Sequence, residues 1–97
     1  MEVEKFRKWD MAEVLDTKED VIACLQVALA DMDTDFLFET LGSLARAKGM
    51  TKIARELNLT REGLYKSLSP NGNPSFETVA RLLEVLGLQI KLEQKTA

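Results

Sequence analysis

A chain of 97 residues, 45% of them hydrophobic, supports one compact domain with a modest core and leaves no room for a second. It holds no histidine and one cysteine, so it lacks a nucleophile–base pair, a zinc ligand set and an internal disulfide, which points away from an enzyme. The net charge of −3 is uneven: residues 1–43 carry 4 basic and 11 acidic side chains, residues 44–70 carry 6 and 2, and the remainder is neutral.

Residues 1–16, MEVEKFRKWDMAEVLD, mix charge with Phe6, Trp9 and Met11 and read as an extended arm ending in a short turn of helix. The stretch has no signal-peptide pattern, and no apolar run along the chain is long enough for a membrane span, so a cytoplasmic protein is expected. Phe6 and Trp9 either pack on the body of the domain or, with Met11, anchor a protein partner.

A first helix is expected from Thr17 to Asp31, with Thr17 and Asp20 resembling a capping box and Val21, Ile22, Leu25, Ala28, Leu29 and Met32 recurring at helical spacing. Cys24, among those side chains, reads as a small buried hydrophobe. Asp31, Asp33 and Asp35 lack the glycine and closing glutamate of a calcium loop and are read as solvated helix-capping acids, so no metal or cofactor is expected. A second helix opens at Thr34 or Asp35 and runs to about Lys48, its stripe formed by Phe36, Leu37, Leu41, Leu44 and Ala45. Gly49 stops it, and Gly42 in its interior suggests close packing.

The stretch Thr51 to Ser67, TKIARELNLTREGLYKS, organises the rest. It reads as two short helices, with Thr51 and Thr60 as caps, Asn58 in a left-handed turn, and Leu59 in the angle between them. Ile53, Ala54 and Leu57 face inward from the first, Leu64 and Leu68 from the second. Thr60, Arg61, Glu62, Tyr65 and Lys66 remain outside. This is either a helix-turn-helix presenting polar side chains to a DNA major groove or an ordinary αα-corner. Local basicity favours DNA, because a duplex responds to charge within a Debye length of roughly 10 Å and not to the sum over the chain.

Ser69-Pro-Asn-Gly-Asn-Pro74 is a loop whose Asn71, Asn73 and backbone amides either hold a phosphate or merely connect. Ser75 caps a last helix with Phe76, Val79, Ala80, Leu83 and Leu86 inward, ended by Gly87. Leu88, Ile90 and Leu92 then alternate with Gln89, Lys91 and Glu93, a strand pattern with no internal partner. Pairing with a second copy of the chain would satisfy it and make a homodimer. The expected organisation is an arm (1–16), an all-α five-helix DNA-binding domain (17–87), and a C-terminal dimerisation strand with its tail (88–97).

Ala45 to Leu88 resembles the addiction-module antidote proteins, HigA-like antitoxins with a lambda-repressor-like domain. Gly49-Met-Thr, Leu59-Thr-Arg-Glu-Gly-Leu-Tyr-Lys and Gly72-Asn-Pro-Ser-Phe-Glu-Thr carry the likeness, and Trp9-Asp10 with Leu15-Asp16 extends it over nearly the whole chain. The resemblance implies an antitoxin that neutralises a small RelE- or ParE-like toxin, often an mRNA-cleaving ribonuclease, and represses its own operon. It also implies phosphate contacts from Thr51 and Thr60, and groove contacts from Arg61, Glu62, Tyr65 and Lys66. Lys52 joins the phosphate contacts on its charge. Ser67 departs from the apolar residue many such repressors carry there, with Leu68 expected to take over the packing. The rival functions are a stand-alone prophage-type transcriptional regulator and a protein-interaction domain without DNA binding.

Overall fold

The computed structural model describes residues 18–96, and the expected arm with Phe6, Trp9 and Met11 lies outside them. Five helices follow in order: α1 (Lys18–Ala30), α2 (Thr34–Lys48), α3 (Met50–Glu56), α4 (Arg61–Ser67) and α5 (Phe76–Val85). No helix among the described residues is long and apolar enough to cross a membrane.

α1 packs against α2, α2 against α3, and α3 against both α4 and α5. The core is one cluster in which Cys24, Leu41, Ala45, Leu64 and Leu82 are fully buried and Phe36 nearly so. α1 is apolar nearly all round, but a peripheral helix buries only one face. That face is Cys24, Leu25 and Ala28, with Val21 half-buried. Ile22, Leu29 and Met32, expected inside, are instead 37%, 52% and 80% exposed.

The helix ends follow local hydrogen bonding. α1 closes with Met32 in a left-handed conformation (φ 54°), its amide donating to Leu29 O at 3.1 Å and that of Asp33 to Ala28 O at 2.8 Å. Asp33, one residue before the expected start, caps α2 by accepting from Phe36 N at 3.0 Å. Inside α2 the buried Thr40 hydroxyl donates to Phe36 O at 2.8 Å, which satisfies it within its own helix.

Gly49 alone separates α2 from α3, with φ 112° and its amide on Ala45 O at 2.9 Å. α3 therefore begins at Met50, and the N-cap position is Gly49, which has no side chain to bond. The expected capping role of Thr51 is overturned: Thr51 is the second helical residue, exposed. Asn58 is left-handed as expected (φ 57°), and the amides of Asn58 and Leu59 close α3 on Arg55 O and Ala54 O. Leu59, expected between the helices, is more than a third exposed; Leu57 fills the core position there.

Ser75 caps α5 by accepting from Thr78 N at 3.0 Å. Leu82 and Leu83 make its buried face, whereas Phe76, expected inside, is 76% exposed at the first turn. Gly87 (φ 82°) and Leu88 donate to Glu84 O and Leu83 O and end the helix. Residues 88–96 then run without regular structure, so the expected C-terminal strand is not formed and no strand occurs among the described residues. No extended segment within the described chain offers it a ladder, and an unpaired ladder gains nothing. Leu88 packs on the core, while Ile90 and Leu92 stay exposed.

Candidate nucleic-acid interface

α4 is held by two side chains one turn apart. Leu64 is fully buried and Leu68 nearly so, each supplying about 1.5–3 kcal/mol of apolar burial and together fixing which way the helix faces. Leu68 takes the core position beside Ser67, as expected. Ser67 is half-buried, its hydroxyl donating to Leu64 O at 2.9 Å. Thr60 caps the helix, accepting from Gly63 N at 2.9 Å, so its hydroxyl is committed to the fold as well as exposed.

With that face inward, Arg61, Glu62, Tyr65 and Lys66 all stand exposed along α4. Arg61 and Tyr65 are one turn apart on one side of it. Thr51 and Lys52 stand exposed on the first turn of α3. No ion pair among the described residues neutralises Lys52, Arg61 or Lys66, so their charge is available to an anionic partner.

The loop after α4 is bound to its C-terminal end. The Ser69 hydroxyl donates to Tyr65 O at 2.6 Å and the Gly72 amide to Ser69 O at 2.7 Å. A Cβ on Gly72 would collide with the carbonyl oxygens of Ser67 and Lys66, so only glycine permits this approach. Asn71 beside it is left-handed (φ 72°), and both Asn71 and Asn73 are exposed. The expected loop residues are thus brought to the end of α4, whereas Thr51 and Lys52 come from a different helix. Sequence reasoning missed the role of Gly72; the Asn-Gly-Asn pattern marked a turn but not what it rests on.

A groove of about 420 Å³ runs between α2 and the α4 end, with Phe38, Met50 and Leu68 below and Asp35, Glu39 and Tyr65 among its walls. Arg46 also lines it and donates to Ser43 Oγ at 3.0 Å. Away from this surface, burial, and to a lesser degree the nearby Asp20 carboxylate, pushes the Cys24 thiol above its usual pKa, which keeps it protonated and unreactive.

An all-helical protein with a short, capped, outward-facing polar helix is the class the fold and this surface define. The family described as "Probable addiction module antidote protein" matches residues 5–94, and the chain belongs to it. It is also similar to a protein of Haemophilus influenzae (strain ATCC 51907 / DSM 11121 / KW20 / Rd), described as "Uncharacterized protein", with 38% identity over 91 residues and 94% of each chain covered. No solved structure matches.

Proposed function

We propose that this protein is the DNA-binding antitoxin of a type II toxin–antitoxin module, neutralising a small basic RelE- or ParE-like toxin and repressing its own operon. Family membership supports the antidote role. The observation that carries DNA binding is α4 itself: its cap, its buried Leu64 and Leu68 and the loop locked by Gly72 leave Arg61, Tyr65 and Lys66 outward, with no ion pair among the described residues to Arg61 or Lys66. In this reading Arg61 and Tyr65 reach base edges, with Glu62 beside them. Thr51, Lys52, Thr60, Lys66, Asn71 and Asn73 hold phosphates.

A two-fold operator calls for two such helices about one DNA turn apart, roughly 34 Å, which motivates a homodimer. Leu88 is occupied by its own core, so the dimer contact rests on Ile90 and Leu92. The test is a gel-shift titration of the full chain on the DNA upstream of its own gene. Binding that tightens steeply as salt falls, and that prefers this DNA to a scrambled duplex, is the expected result. No preference at any salt concentration would sink the repressor reading.

A further inference from the structure

Apart from the core, α4 and Leu59, two stretches of the chain expose large apolar side chains, and their charge differs. Phe76, Ile90 and Leu92 lie in residues 75–97, where three acids meet three bases, a neutral setting that a second copy can share. Ile22, Leu29 and Met32 lie in a stretch of the opposite kind: residues 19–45 hold six acidic side chains and not one lysine or arginine.

Ile22 and Leu29 are seven residues apart on α1, two helical turns along one face, and Met32 follows at its end. Glu19 stands one turn before Ile22, Asp31 two residues after Leu29, and Asp35 on the first turn of α2, all three exposed. Met32 is the most telling. It holds a left-handed backbone at the position where helices ordinarily end on glycine, a conformation that costs any residue with a Cβ. The same position carries its side chain almost wholly into solvent. The fold itself gains nothing from methionine there.

We infer that the outer face of α1 with the α1–α2 turn is the docking surface for the basic toxin, with Ile22, Leu29 and Met32 as apolar anchors inside an acidic rim. This rests on the antitoxin reading proposed above. The sign of the charge selects the occupant: a second copy would set the acids Glu19, Asp31 and Asp35 against their own kind, DNA would be repelled, and a basic protein surface is attracted and steered. Apolar anchors then supply the affinity that screened rim charges do not.

The experiment uses the full chain and, as probe, the purified product of the reading frame adjacent to its gene, titrated by calorimetry at low and high salt. The double variant Leu29→Lys, Met32→Gly is expected to weaken binding by about tenfold or more, as expected for losing buried anchors. Its melting temperature and its affinity for operator DNA should not fall. Ile22→Lys alone should act in the same direction. Binding of the double variant within about twofold of the wild type would overturn the inference, as would full loss of binding on removing residues 1–11 with the double variant unaffected. If the wild-type chain does not bind the probe, the antitoxin reading itself fails and takes this inference with it.

Discussion

Gly72 lies against the carbonyl oxygen of Ser67, so close that no Cβ fits between them. The contact fixes the loop to the last turn of α4 and brings Asn71 to the groove that Tyr65 also lines. Gly72→Ala has to displace backbone and not a flexible side-chain end. It is expected to cost about 1–3 kcal/mol of stability, in the range of strained or overpacked substitutions. Thermal melts would read the loss directly. A variant that melts like the wild type would show that the loop is free to lift off the helix.

Arg61 and Lys66 are expected to fail in different ways. Arg61 opens α4, where a guanidinium can bond guanine O6 and N7 together, and Arg61→Ala should cost roughly 1–3 kcal/mol and relax preference at one base position. Lys66→Ala should weaken all sequences alike and flatten the salt dependence by about one unit of slope. Affinities on a set of single-base operator variants distinguish the two. Equal, preference-free losses in both would reduce Arg61 to a phosphate contact.

Much of this surface was legible in the sequence because its signals are local. Thr60, Asn58, Ser75 and Gly87 act through hydrogen bonds within four residues of themselves, and each stands where its chemistry required. Thr51 misled because capping also needs a non-helical residue before the first turn, and the single residue Gly49 leaves none to spare. The apolar periodicity of α1 and α5 told that they are helices but not which face wins. Ile22, Leu29 and Phe76 sit at core spacing yet outside, since burial depends on what another helix offers across the gap. The alternation at 88–94 was real, but a strand needs a neighbour and pattern supplies none.

Gly42 tests the expectation of close packing in α2. A Cβ built there would stand 3.7 Å from Leu68 Cβ and 3.4 Å from an Arg46 guanidinium nitrogen, ordinary contacts, one of them with a mobile side-chain end. Gly42→Ala should therefore stabilise the protein by roughly 0.5–1 kcal/mol through helix propensity and reduced freedom of the unfolded chain. Chemical denaturation at constant slope would measure it. Destabilisation instead would mean that α2 and Leu68 are packed more tightly than these distances imply.

Cys24 predicts a pH dependence with a definite sign. Burial, then Asp20, raises its folded pKa above the ordinary value of 9.0, so the native state holds its proton where the unfolded chain releases it. Its contribution is complete below pH 9.0 and is lost as pH rises from there through the folded pKa. Cys24→Ala should be less stable at neutral pH, because it leaves a cavity, and should lose less stability than the wild type as pH rises above 9.0. Parallel fall-off in both proteins would show that the Cys24 thiol is not the source of the alkaline sensitivity.

The tail separates folding from assembly. Leu88 packs on the core and its amide closes α5 on Leu83 O at 2.8 Å, whereas Leu92 is 95% exposed and Ile90 nearly half. Removing residues 89–97 leaves the helix terminator in place and takes away none of the core side chains. Sedimentation of that truncation should give a monomer where the full chain gives a dimer. At low concentration, where the full chain too is dissociated and mass action no longer separates them, their melting temperatures should nearly agree. Operator affinity should drop steeply, because each half-site is then bound without the avidity of its mate. A truncated chain that remains dimeric would move the interface to the exposed first turn of α5, and Phe76→Ala would then be the substitution that breaks it.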